Sequence, residues 1–165
     1  MSQSYLPPHE WYASLPTVHV SACMLLTDDA DRVMLVKPNY RPYWAVPGGM
    51  VEDSEPPHTC AVREVAEELG LDVRLGPLLV VDWVAPAGDR LRPMLNFIFD
   101  GGTVADPSRI RLQTDELDAV QFWPWEEAAT KLPAATAARI PAARTARKNQ
   151  QTIYLPAEQP DPRNV

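Results

Sequence analysis

Residues 49–71 read GMVEDSEPPHTCAVREVAEELGL, and the part from 56 to 69 has the marks of an amphipathic helix. Ala61, Val65 and Leu69 recur at i, i+4 and i+8, which lines one face with apolar side chains. Ser54 is placed to cap the start, and Pro56 and Pro57 fall in the first turn, where a missing N–H costs nothing. Gly70 stops the helix, because it alone enters the left-handed region without penalty.

Glu64, Glu67 and Glu68 stand at i, i+3 and i+4 on the same helix, so their carboxylates project from one face. Like charges at that spacing cost about 0.2–0.5 kcal/mol per pair. Glu67 and Glu68 also occupy the last turn, where the helix dipole disfavours anions by roughly 0.3–1 kcal/mol each. Arg63 is the only cation available to relieve them. A segment that breaks two local rules together is a candidate site. Clustered hard oxygens suit Mg²⁺ or Mn²⁺ bridging to phosphates, and a solvated acidic helix face is the other reading of the same three residues.

Outward from this helix, the chain alternates between elements. Residues 1–16 hold Pro7, Pro8 and Pro16 and read as an irregular arm. Residues 17–27 and 33–36 read as two strands of a hairpin around the polar turn Asp28-Asp29-Ala30-Asp31. A loop over 38–43 leads into a short strand, Trp44-Ala45-Val46, that ends at Pro47-Gly48-Gly49. Further strands are expected at 72–84, 91–100 and 118–124, the first two joined by the turn Pro86-Ala87-Gly88-Asp89. Alanine-rich 126–148 reads as helix broken near Pro133 and Pro141, with Arg139, Arg144, Arg147 and Lys148 on a solvated face. Strands interleaved with helices indicate an α/β layered fold. The domain is expected over 17–155, followed by a flexible, proline-rich tail at 156–165.

At 165 residues, the chain suits one domain with one buried core. A formal charge of -7 argues against nucleic acid or an anionic membrane as a partner. An acidic protein that handles phosphates needs local cations, bound metal or backbone N–H groups to do so. Cys23 and Cys60 are too few and too far apart for a disulfide framework or a zinc site and read as buried small residues. The start, MSQSYLPPHEWY, lacks a basic and then apolar leader pattern, and no apolar run reaches membrane-spanning length. A soluble cytoplasmic protein is expected.

Taken whole, the segment resembles the Nudix box: Gly, five residues, Glu, seven residues, Arg-Glu-apolar, any residue, Glu-Glu, any residue, Gly-apolar. Gly49, Glu55, Arg63, Glu64, Val65, Glu67, Glu68, Gly70 and Leu71 satisfy it position for position. The approach through Trp44–Gly49, the hairpin before it and Phe122-Trp123-Pro124-Trp125-Glu126-Glu127 are also similar to Nudix domains, so the resemblance spans roughly 17–132. It implies an α/β/α sandwich with a mixed sheet, in which the box forms a loop–helix–loop.

The resemblance also implies roles. Glu64, Glu67 and Glu68, the first and last foremost, become ligands of Mg²⁺ or Mn²⁺, with the Gly48 carbonyl as a further ligand. Glu55 and Arg63 form an ion pair that holds the loop to the helix, with Gly49 and Gly70 as structural glycines. Glu116 is the candidate general base outside the box, with Asp115 and Glu52 behind it. Some relatives carry that glutamate where this chain has Gln121, an amide that accepts no proton. The implied reaction is metal-assisted hydrolysis of the P–O–P link of a nucleoside diphosphate joined to another group.

Tyr40, Arg41, Tyr43, Trp44, Trp83 and Trp123 are candidates for gripping the substrate, although residues of these types more often serve core or loop packing. A nucleoside triphosphate leads the substrate classes. ADP-ribose or a nucleotide sugar follows, since Pro86 falls fifteen residues after Leu71, an offset associated with ADP-ribose enzymes of this superfamily. A non-catalytic ligand sensor is the reading from another class; such domains usually lose box glutamates, and this chain keeps them. Isopentenyl diphosphate isomerase chemistry needs a catalytic cysteine, for which Cys60 is poorly placed. A homodimer is a further partner that the resemblance leaves open.

Overall fold

The computed structural model describes residues 6–156. In chain order the elements are α1 (Pro8–Ser14), β1 (His19–Thr27), β2 (Val33–Pro38), β3 (Gly48–Met50), α2 (Pro57–Leu69), β4 (Leu78–Val84), β5 (Met94–Thr103), β6 (Leu117–Trp123), α3 (Trp125–Lys131), α4 (Arg139–Asn149) and β7 (Ile153–Leu155). The strands form one mixed sheet in the order β6-β2-β1-β5-β4-β7, with β3 paired to β1. The β1–β5 and β4–β7 pairs are parallel and the others antiparallel.

β1 is buried on both faces, which explains its continuous apolar run. Side chains alternate across it. Ala22, Met24 and Leu26 join Cys60, Ala61, Val65 and Leu69 of α2 in one core. Cys23 and Leu25 join Trp125 and Ala128 of α3 and Ile140, Ala143 and Ala146 of α4 in the other. This is the expected α/β/α sandwich. Val65 and Leu69 are fully buried, and each contributes about 1.5–3 kcal/mol by leaving water.

The feature that places the site is a split in the sheet. β2 pairs with β1 only at Thr27↔Val33 and then runs on beside β6. The opening between β1 and β2 is filled by residues 44–50: Ala45 bridges to Val36, Met24 N donates to Pro47 O at 2.9 Å, and β3 lies on β1 with Cys23 opposite Gly48. The expected strand at 44–46 is therefore a single bridge, and the ladder forms three residues later, at the glycines.

Several expectations are corrected. Within the arm, residues 8–14 are helical, with Pro8 in the first turn and no buried side chain. Ser54 does not cap α2. The N-cap is Pro56, without a side-chain hydrogen bond, and Ser54 instead takes φ +62° in the preceding turn. The strand expected from 72 begins only at Leu78, and a short parallel strand, β7, was not anticipated. Pro141 does not break a helix. It sits in the first turn of α4, where no intrahelical donor is needed, while the break at Pro133 is real.

Of the cations of α4, Arg144 and Lys148 are exposed as expected, but Arg139 and Arg147 are not. Arg139 pairs with Asp82, Arg147 with Asp100 and Arg144 with Glu126, and the first two guanidinium groups are largely buried. Residues 157–165 of the expected tail and 1–5 of the arm lie outside the described residues. Among the described residues no helix is long and apolar enough to cross a membrane.

Candidate active site

Gly70 ends α2 in the left-handed conformation, φ +62°, with its N–H on Ala66 O at 3.0 Å. The last carbonyls of the helix are taken up by a distant loop: Arg111 N donates to Leu69 O at 2.7 Å and Gln113 N to Glu68 O at 2.9 Å. The same loop is pinned to the end of β2, because Asn39 donates through its backbone N to Glu116 O and through Nδ2 to Asp115 O. These bonds carry Glu116 to the glutamates of α2, close enough for its charge to act on both Glu64 and Glu68.

Glu68 is the most buried of the four carboxylates, 7% exposed, and its Oε2 accepts from Gly48 N at 2.9 Å. Burial pushes its pKa up to about 8. The Gly48 bond opposes this shift, and the charges of Glu64, Glu116 and Glu67 reinforce it. Glu64 is likewise raised, first by burial, with Arg63 working against the rise and Glu67 and Glu116 adding to it.

Arg63 is the organiser of the box. It makes a bidentate pair with Glu55, Nε to Oε1 at 2.9 Å and Nη2 to Oε2 at 3.0 Å, and its Nη1 reaches Glu64 at 2.9 Å and Glu67 at 3.0 Å. Nη2 also donates to Met50 O at 3.3 Å, which ties the loop to the helix. The guanidinium beside it holds Glu55 down at about 2. Glu52 reaches only the outer edge of Arg63, at 3.9 Å.

An added Cβ would be crowded at both glycines of the pair, by main chain at Gly48 and by a side-chain end at Gly49. A Cβ on Gly48 would meet Ala22 O at 2.3 Å, at φ +142°, and one on Gly49 would meet Glu64 Oε1 at 2.3 Å.

Cys60 is buried and free, its thiol facing the carbonyls of Gly49 and Met50. Burial and the neighbouring Glu55 and Glu64 push it up to about 12, so it is a poor nucleophile.

Among the described residues no three His, Cys, Asp or Glu side chains converge closely enough to hold a metal ion. The reason is visible in the geometry: Arg63 draws Glu64 and Glu67 onto itself, and Gly48 N holds Glu68. The chemistry of the donor set nonetheless fits a divalent cation. All the donors are hard oxygens, and their mutual repulsion in a half-buried site is what a cation would relieve.

The expected substrate residues are scattered. Trp44 and Trp123 pack edge to face, 5.7 Å between centroids, against the α3/α4 core, and Lys131 Nζ lies 4.1 Å over Trp123. Tyr40 is exposed, with Arg41 stacked on its ring, and Trp83 stands apart on β4 opposite Leu95. Gln121 is exposed on β6 opposite Leu35, and Pro86 on the β4–β5 turn.

Three comparisons bear on this geometry. The family model of the NUDIX domain matches residues 17–144. The chain belongs to the Nudix family. One relative, the Nudix hydrolase YvcI of Bacillus subtilis (strain 168), is 30% identical over 113 residues, covering 64% of this chain and 70% of YvcI. Human diphosphoinositol polyphosphate phosphohydrolase 2 is 44% identical over 61 residues, 36% of this chain, and the match spans 34% of that protein's length. The crystal structure of the MutT protein from Methanosarcina mazei Go1 superposes with a TM-score of 0.67 at 24% identity, covering 84% of this chain and all of that one (100%), which shows the shared fold.

Nudix proteins of this kind hydrolyse phosphorus-containing anhydrides and generally use divalent metal ions. Sequence reading of this Nudix chain missed one set of buried polar residues on the sheet, Ser21, Asp82 and Asn96. The available signal was a single polar residue inside each of two otherwise apolar runs, Asp82 in LLVVDWV and Asn96 in the MLNFIF that opens β5.

Proposed function

We propose that this Nudix domain is a Mg²⁺- or Mn²⁺-dependent pyrophosphohydrolase whose foremost substrate is a nucleoside triphosphate. The observation that carries the reading is the crowding of Glu64, Glu67 and Glu116 around Glu68, a buried carboxylate held on the Gly48 amide. Two enclosed acids crowded by two exposed ones, with a single arginine that reaches only Glu64 and Glu67 among them, are unfavourable unless a cation and an anionic substrate complete the site.

In this reading Glu64, Glu67, Glu68 and the Gly48 carbonyl hold the ion, which when bound neutralises the diphosphate and acidifies a water. Arg63 positions Glu64 and Glu67 without touching substrate, and Glu55 fixes Arg63. Glu116 is our candidate to accept the proton of the attacking water, ahead of Asp115 and Glu52. Hydrolysis then yields a nucleoside monophosphate and a phosphorylated remainder. Tyr40, Arg41, Trp44, Trp83 and Trp123 remain candidates for the substrate's outer parts.

ADP-ribose or a nucleotide sugar is the second reading, favoured by Pro86 in the exposed turn. Retention of every box glutamate favours an enzyme over a ligand sensor. The free, buried thiols suit a reducing cytoplasm, where we place the protein.

The test is a nucleotide panel with Mg²⁺ or Mn²⁺ in ¹⁸O-labelled water, with products read by mass. We expect cleavage of P–O–P with label in one phosphate product. No turnover across the panel, with metal bound, overturns the enzymatic reading in favour of a sensor.

A further inference from the structure

Asp82 of β4 and Asn96 of β5 are cross-strand neighbours, and Ser21 of β1 lies opposite Asn96 on its other side. The three make one polar row across the sheet, all of it buried. Asn96 Nδ2 donates to Ser21 Oγ at 2.7 Å and Cys23 Sγ at 3.3 Å, so the row faces the α3/α4 layer with Cys23. Asn96 is 2% exposed, and its Oδ1 has no partner. Turning the amide over would leave the nitrogen short instead.

Arg139, the first residue of α4, reaches down from the opposite layer and donates its Nε to Asp82 Oδ2 at 2.6 Å. That bond leaves Arg139 Nη1, Arg139 Nη2 and Asp82 Oδ1 without hydrogen-bond partners among the described residues. The fold thus leaves donors and an acceptor unused on one ion pair whose side chains are 14% and 9% exposed.

A pair that served stability alone would gain little over apolar residues of the same size, and an unpartnered amide beside it is a net cost. Its position links it to the acidic helix. Cys23, which Asn96 contacts, pairs with Gly48, whose N–H holds Glu68. The charges of Arg139, Glu68 and Glu64 all act on that one thiol.

We propose that Arg139 and Asp82 together read the nucleobase of the substrate: the Nη atoms donate to a base carbonyl, and Asp82 Oδ1 accepts the adjacent ring N–H. Guanine and uracil present that edge, whereas adenine has no carbonyl and a phosphate offers no N–H. The inference rests on the diphosphate-hydrolase reading of the neighbouring carboxylates.

The test compares kcat and KM for GTP, UTP, ATP and CTP in the wild type, in Arg139→Lys and in the double variant Asp82→Leu/Arg139→Met, which removes both charges and so leaves neither one buried alone. Wild type should favour GTP and UTP by about tenfold or more in kcat/KM. The double variant should lose that preference through KM while its melting temperature stays near the wild-type value. Arg139→Lys, which keeps the charge but not the fork, should lose most of it.

A folded double variant with unchanged KM and base preference shows a structural pair and overturns the proposal. An equal rise in KM for all four nucleotides shows a phosphate contact and overturns it too. Calorimetry with the α,β-methylene analogues of the same four nucleotides separates the two claims. Base-dependent binding without hydrolysis of the parent nucleotides sinks the enzymatic reading alone, and hydrolysis with base-independent binding sinks this one alone.

Discussion

Gly48 donates its backbone N–H to Oε2 of Glu68 across twenty residues of sequence, at 2.9 Å, and so joins the split in the sheet to the last turn of the acidic helix. One partner is fixed by the β1–β3 ladder and the other by the apolar stripe of α2, so the bond is a rigid contact between two layers. It supplies one hydrogen bond to a carboxylate that burial otherwise disfavours.

Because Glu68 and Glu64 are the most enclosed acids of the cluster, Glu68→Gln and Glu64→Gln should each lower kcat by about 100-fold or more, while circular dichroism and melting show a folded protein. Near-normal kcat in either purified variant would reject the ligand role.

The two glycines should fail in different ways. Gly48→Ala meets main-chain atoms of Ala22 in a backbone region that L residues rarely adopt, and should destabilise the fold by about 1–3 kcal/mol in urea melts. Gly49→Ala meets only the carboxylate of Glu64, which can swing away. It should therefore keep most of the stability and lose activity. Equal losses of stability in the two variants would contradict this assignment.

Metal-free protein should lose stability as pH rises. Glu68 has a folded pKa of about 8 against an ordinary 4.5, so between these values the native state holds a proton that the unfolded state has released. The stabilisation is complete below pH 4.5 and gone above pH 8, with a slope of at most about 1.4 kcal/mol per pH unit between. Urea titrations at several pH values should show this fall, and Glu68→Gln should flatten it. A wild-type slope that matches the variant's would place the proton elsewhere.

Glu55 behaves in the opposite sense. Its carboxyl is held down at about 2 by Arg63, so the stability that it lends is present above pH 4.5 and lost as pH falls towards 2. Glu55→Gln should lower the melting temperature at neutral pH, and the gap to wild type should close in acid. A gap that persists at pH 2 would mean that shape, not charge, holds the loop.

What could be read from the chain was local. The helix, expected over 56–69 and found over Pro57–Leu69, its stripe of Ala61, Val65 and Leu69 and its stop at Gly70 depend on spacing within one short segment, which periodicity reports directly. The pairing of Glu55 with Arg63 was implied by the resemblance of that segment to the Nudix box. Even there the cap was misread: Ser54 offers the right hydroxyl, but the turn geometry sends it to φ +62° and leaves Pro56 to open the helix.

Tertiary structure alone decided which distant residues share a space. The approach of Glu116 depends on a loop bonded to the end of α2 and to Asn39, and the clamp of Arg139 on Asp82 depends on α4 crossing the far face of the sheet. In the sequence, an arginine on a polar helix looks solvated, because burial is set by what packs against it. That partner is chosen by strand order, which no local pattern records.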